Sequence, residues 1–360
     1  MEIRNIEILH ATIPLKEPYI LSFARIIEID SIVVRITLEN GGVGYSEAVP
    51  LLGYSNETKE TIIENSIKVI KLIHKLDTSE LESFLDEIIP NASFVISAFI
   101  TAKEMALKQF SIEKEITLPL VSSLSSQGDI YKSIIDAHSI CRKGYKTIKL
   151  KAGRKVIDDV NIVHALLDEL PSNINLRIDI NQGNTMSEAV QLLEVLNHPR
   201  SKIIEIIEQP FDSKDWKGFR QLTTNYPEAP LMLDESIIRD SDVVRAKDVG
   251  AKFIKLKLMK HKGLRGLIEL GKQANKLGMK VIMGNGVASS IGNLIEASIF
   301  SHYDIFYGAS ESNGFNRLKV NTLQKNISIK NGNMIWRSSK LDSTPEINTS
   351  VFQIIFSLIK

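Results

Sequence analysis

Three carboxylates stand at the ends of short apolar runs in the middle of the chain. Asp179 follows NLRI, Glu208 follows IIEII and Asp234 follows PLML, and each precedes a turn. If these runs are neighbouring parallel strands, their carboxyl ends meet, and three acidic groups there repel one another unless a cation lies between them. Oxygen ligands of this kind suit a hard divalent ion such as Mg²⁺. The alternative interpretation is that the carboxylates cap helices or form surface salt bridges.

Two pairs of lysines are spaced so that both members of each pair share one face of a strand. Lys149 and Lys151 alternate with apolar residues in the run IKLK, and Lys255 and Lys257 do so in a second copy of that run. An ammonium group inside a barrel is costly unless it is paired or takes part in chemistry. A lysine near other cations has the lowered proton affinity that a general base requires. The alternative is that these lysines extend past the strand ends to solvent.

The elements that must position these residues are short apolar runs that alternate with helical stretches after residue 115. This alternation indicates a parallel sheet, and a count of eight runs favours closure into an α/β fold of the (β/α) barrel, or TIM, type. An open doubly wound sheet is the second choice, but the first run lacks the glycine-rich turn that such a sheet places there. The predicted strands are 119–125, 146–153, 175–183, 203–210, 230–236, 251–260, 279–286 and 304–311.

A separate α+β region precedes the barrel. Residues 1–50 have a strand pattern with a hairpin turn at 40–42, and helical periodicity follows from about residue 55 to 110. We therefore predict an N-terminal α+β capping domain at 1–115, a barrel at 116–315 and a C-terminal segment at 316–360. The apolar tail of that last segment is expected to pack back against the capping domain.

The composition argues against a nucleic-acid-binding protein and against a membrane-spanning protein. The formal net charge of +1 over 360 residues predicts no binding of nucleic acid, and no apolar run reaches the length of a membrane span. The single cysteine, Cys141, lies in a predicted helix at 129–142 and excludes an intrachain disulfide. The first ten residues lack a secretion-signal pattern, so we expect a cytoplasmic protein. Its expected partners are a small-molecule carboxylate substrate and further copies of itself in a homo-oligomer.

The ordered set of motifs resembles the muconate-lactonizing subgroup of the enolase superfamily over nearly the whole chain. The matching runs are IKLKAG at 148–153, RIDINQG at 177–183, IEQP at 207–210, LDES at 233–236 and IKLKLMK at 254–260. The resemblance implies a TIM-type barrel modified as in enolases. It also implies that Asp179, Glu208 and Asp234 bind Mg²⁺, with Mn²⁺ as an alternative ion.

The resemblance also implies roles for three of the lysines. Lys151 and Lys257 would be acid/base groups that act on the proton next to a substrate carboxylate, and Lys149 would lower the proton affinity of Lys151. Because lysines on both faces permit removal and return of a proton, we predict a racemase or epimerase for an amino-acid derivative or dipeptide. The alternatives are an o-succinylbenzoate synthase or muconate-type cycloisomerase or lyase and, third, a non-catalytic metal-binding barrel.

Substrate-binding residues are expected where the chain departs from the family pattern. Dipeptide epimerases typically carry Asp-x-Asp-Gly near the end of strand eight and hold the substrate ammonium with it, whereas this chain has Glu311 and Asn313 there. Asn285 lies in the run after strand seven, in which the glutamate of many relatives is missing. Lys255 stands where Asn or Asp is common. The capping-domain segments 18–25 and 51–56 are expected to close over the barrel, and Arg25 in the first of them is a candidate for gripping a second carboxylate.

Overall fold

The structure is a computed structural model, and it describes residues 1–20, 25–51, 55–73, 77–125, 128–338 and 344–359. Within these ranges the chain forms a four-stranded antiparallel sheet with three helices, a seven-stranded parallel sheet and a small three-stranded sheet. The predicted capping-loop segments 18–25 and 51–56 lie partly outside the described residues, at 21–24 and 52–54.

The capping sheet combines both ends of the chain. Its strand order along the sheet is β14 (Gln353–Ile359), β1 (Ile3–Ile20), β2 (Arg25–Leu38) and β3 (Val43–Ala48), and every neighbouring pair is antiparallel. The hairpin between β2 and β3 turns at Gly41, whose φ of +84° is a conformation that glycine adopts at little cost. The apolar tail does return to this sheet, since β14 pairs with β1.

Three helices cover this sheet. They are α1 (Lys59–Leu72), α2 (Leu81–Ile88) and α3 (Ser93–Ala106). Helix α1 begins at a capping box in which Thr58 and Thr61 satisfy each other's backbone N–H groups. Helix α3 is apolar on nearly all sides because it packs between the capping sheet and the barrel, and Phe94 and Phe99 in it are fully buried.

The barrel strands alternate with helices in the predicted order. Side chains on the outer face of each strand, such as Ile148 and Leu150, are fully buried against the helices. The strands are β5 (Val121–Ser125), β6 (Thr147–Lys151), β7 (Asn175–Asp179), β8 (Ile204–Glu208), β9 (Leu231–Leu233), β10 (Phe253–Leu256) and β11 (Lys280–Met283). The helices are α4 (Ile130–Arg142), α5 (Val156–Glu169), α6 (Met186–Leu193), α7 (Trp216–Asn225), α8 (Asp240–Asp248), α9 (Gly263–Lys276) and α10 (Ser290–His302).

The eighth predicted strand, 304–311, is wrong as a continuous strand. In its place, isolated parallel bridges join Phe306 to Val281 of β11 and Ser310 to Leu120 beside β5, and these bridges close the barrel. The interruption falls at Gly308, which has a φ of +73°. A side chain there would meet Arg177, because an added Cβ would lie 2.7 Å from Nη2 of that arginine.

Two carboxylates join the capping domain to the barrel. Glu47 on β3 accepts hydrogen bonds from the backbone N–H groups of Ser289 and Gly292 at the start of α10, at 2.7 and 2.9 Å. Glu104 on α3 accepts hydrogen bonds from the first residues of α9. Negative charge at a helix N-terminus is favourable, so both contacts fix the cap over the barrel mouth.

The remaining elements lie outside these two layers. Strands β4 (Glu115–Pro119), β12 (Ser328–Lys330) and β13 (Asn333–Arg337) form an antiparallel sheet in the order β12-β13-β4. Cys141 lies in α4, as predicted, and is not fully buried. None of the helices in the described part of the chain has the length and hydrophobicity that a membrane crossing requires.

Candidate active site

One pocket lies between the carboxyl ends of the barrel strands and the capping domain. Most of the residues singled out from the sequence line it: Lys149, Lys151, Asp179, Asp234, Lys255, Lys257, Asn285, Glu311 and Asn313. Glu208 lies below them, fully buried. Arg25 stands apart, because it is exposed on β2 and is not one of the described residues that line the pocket.

The two-residue period of the strands turns the lysines inward. Lys149 and Lys151 are on β6 with their apolar neighbours on the helix side. Lys255 lies on β10, and Lys257 follows the end of that strand in an extended conformation. Their side chains are 0–6% exposed except for that of Lys151, which is 22% exposed at the pocket. The alternative of lysines extended into solvent is therefore wrong.

Carboxylates from three adjacent strand ends meet these lysines. Asp179 ends β7, Glu208 ends β8 and Asp234 follows β9 directly. Nζ of Lys149 lies 2.8 Å from both Asp179 Oδ2 and Glu208 Oε2. Lysine ammonium groups thus lie between the carboxylates and balance their charge.

The other three lysines complete this network. Nζ of Lys151 lies 2.6 Å from Asp179 Oδ2, and Nζ of Lys257 lies 2.7 Å from Asp234 Oδ1. Nζ of Lys255 lies 2.5 Å from Glu208 Oε1. Lys151 and Lys257, at the carboxyl ends of β6 and β10, line the pocket from positions that are four strands apart in the sheet order.

Glu311, the last residue of the 304–311 segment, supplies a fourth carboxylate to the site. Glu311 Oε2 lies 3.0 Å from Nζ of Lys255, and its Oε1 lies 3.2 Å from Nζ of Lys149. Arg177, buried on β7, approaches the same oxygen at 3.9 Å while it also pairs with Glu205. Both oxygens of Glu311 are consequently matched with cations of the protein.

Two amides, Asn285 after β11 and Asn313 after the 304–311 segment, hold the pocket wall. Asn313 donates a hydrogen bond from Nδ2 to the backbone oxygen of Val121, at 2.6 Å. Asn285 donates from Nδ2 to Glu296 Oε2 at 2.8 Å, and the same oxygen accepts a hydrogen bond from Ser312. Burial raises the pKa of Glu296 to about 8. These amides contact the pocket, but each already has one protein partner.

Burial and mutual repulsion perturb the acidic groups. Burial raises the pKa of Glu208 to about 7, and the charge of Asp179 adds to the rise, although Lys149 and Lys255 oppose it. Burial acts in the same direction on Asp179 itself, but the ammonium groups of Lys149 and Lys151 hold its pKa well below the usual range. The raised pKa of Glu208 thus reflects its burial first and the neighbouring charge of Asp179 second.

Lys149 acts on Lys151 in the expected direction, but it does not decide the net pKa of Lys151. Burial and the charge of Lys149 both lower the pKa of Lys151, but the nearby Asp179 outweighs them, and the net pKa is raised. The pKa of Lys149 is raised well above its usual value, since Asp179 and Glu208 outweigh its burial. A lowered pKa at Lys151 would require that a second cation take up the charge of Asp179.

The donor set fits a hard divalent ion in the type of its ligand atoms, which are carboxylate oxygens. The three strand-end carboxylates are at most 2% exposed. Glu208 Oε2 and Asp234 Oδ1 accept no hydrogen bond of good geometry from the described residues. No three acidic, histidine or cysteine side chains of the described ranges converge on one point. Because Lys149 lies between Asp179 and Glu208, an ion could enter only if that ammonium moved aside.

Sequence reasoning missed Arg317 in the pocket and several polar residues beside the pocket. Arg317, after strand eight, stacks its guanidinium 3.9 Å from the ring of Tyr19, and both line the pocket. Asn181 donates to Glu235, whose other carboxylate oxygen is buried without a hydrogen-bond partner among the described residues. Arg177 could have been found, since it stands two residues before Asp179 and so shares its inward face. The Arg317–Tyr19 contact joins distant segments and has no local signal.

The fold and pocket define a capped (β/α) barrel with an internal lysine and carboxylate network. Residues 135–339 match the family model described as enolase C-terminal domain-like. The chain therefore belongs to this family of the enolase superfamily.

Similar proteins agree with this assignment. The chain is 28% identical over 305 residues to the L-Ala-D/L-Glu epimerase of Clostridium acetobutylicum, with 79% of this chain and 82% of that protein covered. The solved N-succinyl Arg/Lys racemase of Bacillus cereus has a TM-score of 0.83 at 21% identity, with all of both chains covered. The Enterococcus faecalis dipeptide epimerase, solved with Mg and a dipeptide, has a TM-score of 0.84 at 21% identity, with 95% and 99% covered.

These comparisons confirm the predicted fold class and the predicted class of enzyme. The relatives are epimerases and racemases, and the chain is accordingly an isomerase of the enolase superfamily.

Proposed function

We propose that this protein is a Mg²⁺-dependent racemase or epimerase that removes and returns the proton next to the carboxylate of an amino-acid derivative or dipeptide. The observation that carries the proposal is the pair Lys151 and Lys257. They line one pocket from strands four apart in the barrel, which places them across its diameter. A racemase needs one base and one acid on opposite faces of the reacting carbon, and this pair offers both.

Asp179, Glu208 and Asp234 would hold the metal. A divalent ion there offsets the negative charge that develops on the substrate carboxylate when the adjacent proton leaves. Their positions at three adjacent strand ends support this assignment, because buried carboxylate oxygens are the ligands that a hard divalent ion prefers. Relatives of this fold have been solved with Mg.

The lysines would then move the proton. Lys151 would take it from the α-carbon of one enantiomer while Lys257, protonated, delivers another to the opposite face, and the roles reverse for the other enantiomer. Lys149, which is more deeply buried than Lys151, would stay protonated beside the carboxylates. Its charge would then help to favour the neutral form of Lys151.

Substrate contacts are proposed for four residues. Glu311, Asn313 and Asn285 line the pocket and would face the part of the substrate away from the reacting carbon. Arg25 would contribute only if the capping segment brought it inward, since it is exposed as it stands. We also propose that the chain is divided into a capping domain at 1–115, a barrel at 116–315 and a C-terminal segment at 316–360.

Deuterium incorporation tests the proposed function. The protein would be incubated in heavy water with Mg²⁺ and a panel of N-acyl amino acids and dipeptides, followed by mass spectrometry and chiral chromatography. We expect one deuterium at the α-carbon and both stereoisomers from a single starting stereoisomer. Lys252→Gln is a matched control, because Lys252 is a surface residue that pairs with Glu228 outside the pocket.

Two results would contradict the proposal. Absence of exchange across the whole panel would remove the racemase assignment. A single stereospecific product without scrambling of the α-carbon would favour the muconate-type cycloisomerase or lyase instead.

A further inference from the structure

A carboxylate outside the pocket holds one of the side chains that line it. Glu296 is buried on α10 and is not one of the described residues that line the pocket. Its Oε2 accepts a hydrogen bond from Nδ2 of Asn285 at 2.8 Å and a second one from Oγ of Ser312 at 2.9 Å. Of these two donors, Asn285 lines the pocket. The contact therefore connects α10 to the pocket wall.

The hydroxyl group of Ser312 determines the role of the Glu296 oxygen that it contacts. Ser312 Oγ accepts a hydrogen bond from Oγ of Ser310 at 3.1 Å, so its own proton is directed to Glu296. Oε2 of Glu296 is consequently an acceptor whether or not the carboxyl group carries a proton on its other oxygen. Asn285 must therefore turn its NH₂ group, and not its carbonyl oxygen, toward Glu296.

That orientation leaves the carbonyl oxygen of Asn285 without a partner. Oδ1 is buried and accepts no hydrogen bond from the described residues. A buried acceptor without a hydrogen bond is costly, and such groups are rare in folded proteins. Because Asn285 lines the pocket, a bound molecule that donates a hydrogen bond to Oδ1 removes that cost. If Glu296 did not hold the amide, it could rotate and present its NH₂ group instead.

We propose that Glu296 is a positioning residue, which fixes the Asn285 amide so that its carbonyl oxygen is available to a hydrogen-bond donor of the substrate. Glu296 acts through Asn285 and does not touch the substrate. The inference rests on the proposed racemase function and adds to it a residue outside the pocket.

Two substitutions of similar size separate positioning from packing. Burial raises the pKa of Glu296 to about 8, so the side chain is mostly neutral at pH 7. Glu296→Gln is also neutral and keeps an acceptor oxygen, whereas Glu296→Leu keeps the approximate volume and loses the acceptor.

The kinetic constants are measured by α-proton exchange in heavy water with Mg²⁺, using the N-acyl amino acid or dipeptide of the panel that exchanges fastest. For Glu296→Gln we expect a KM within about threefold of that of the unaltered protein. For Glu296→Leu we expect KM to rise about tenfold or more with a smaller change in kcat, because one hydrogen bond to the substrate is worth about that factor.

A double-mutant cycle assigns the effect to Asn285. Asn285→Ala alone should raise KM by a similar factor, because it removes the carbonyl oxygen. Adding Glu296→Leu to Asn285→Ala should then change KM by less than about twofold, since no amide is left to orient. Ser298→Ala is the control on the same helix. Its buried hydroxyl donates within α10 to the backbone oxygen of Leu294, and its loss should leave KM unchanged.

The outcomes separate this inference from the proposed function. Circular dichroism shows whether each variant is folded, and Glu296→Ala takes the place of Glu296→Leu in both comparisons if the latter does not fold. An unchanged KM in the folded variant without the acceptor, or an equally large rise in Glu296→Gln, would overturn the positioning role. Effects that multiply in the double variant would mean that Glu296 acts independently of Asn285, so the inference would be wrong and the racemase function would stand. Absence of exchange for every compound of the panel would overturn the racemase function and the inference with it.

Discussion

Replacing Glu208 with glutamine removes one charge from the carboxylate cluster while the side chain keeps its size. Glu208 is fully buried between Lys149 and Lys255, and each of these lysines also contacts Glu311. Neither ammonium is left alone by the change. We therefore expect a folded variant that loses less than the roughly 3–5 kcal/mol that breaking an isolated buried ion pair costs.

The magnitude of the effect on metal binding follows from the pKa of Glu208. Because that pKa is about 7, a proton competes with the ion at neutral pH. From pH 6 to pH 8 the ionised fraction rises from about a tenth to about nine-tenths, so Mg²⁺ affinity should rise about tenfold. Glutamine cannot ionise. Glu208→Gln should bind Mg²⁺ at least about 100-fold more weakly, or about 2.7 kcal/mol.

Isothermal titration calorimetry at pH 6, 7 and 8 measures both effects. Glu228→Gln is the control, because Glu228 is almost fully exposed and pairs with Lys252 at the surface. The control should match the unaltered protein in Mg²⁺ affinity at each pH. Equal Mg²⁺ affinity in Glu208→Gln would refute the assignment of this carboxylate as a ligand. A pH-independent affinity in the unaltered protein would refute the competition with a proton.

Two further predictions concern stability. Glu47→Ala leaves two N–H groups at the start of α10 unsatisfied and should lower the free energy of unfolding by about 2–4 kcal/mol. The control Glu64→Ala, at an exposed position, should change it little. Equal urea midpoints for the two variants would count against a stabilising role of the Glu47 contact. Burial raises the pKa of Glu296 from 4.5 to about 8, so the folded state keeps a proton that the unfolded chain releases. Stability should therefore fall as pH rises from about 4.5 to 8, and Glu296→Gln should remove up to about 1.4 kcal/mol per pH unit of that fall. A denaturation series with identical pH slopes in both proteins would contradict it.

The parts of the fold that the sequence predicted are those with a strong local pattern. The seven formed barrel strands, the helices between them and the turn at Gly41 all follow from periodicity and turn chemistry. The eighth strand failed because its interruption depends on the contact of Gly308 with Arg177, a residue more than a hundred positions away. The bond from Glu47 to α10 was missed for the same reason, since it joins segments that no local pattern relates.

For the pocket, too, the sequence predicts the residues that follow a local pattern and misses contacts between distant segments. The inward face of a strand follows from its two-residue period, so Lys149, Lys151 and Lys257 could be placed in the pocket. The pairing of Lys255 with Glu311 could not be predicted, because the segment that carries Glu311 approaches Lys255 only after the barrel closes. Arg25 was proposed from its loop alone, and its exposure on β2 depends on how that strand packs.

The central claim is that Lys151 and Lys257 act on opposite faces of the same carbon, and single-enantiomer exchange tests it most directly. In heavy water with Mg²⁺, nuclear magnetic resonance would follow the α-proton of each enantiomer separately for Lys151→Ala and Lys257→Ala. Both variants should lose racemisation, because it needs a base and an acid. Each should still exchange one enantiomer, the one that faces its remaining lysine, and the two variants should differ in which. If both variants exchanged the same enantiomer, the two-base account would be wrong.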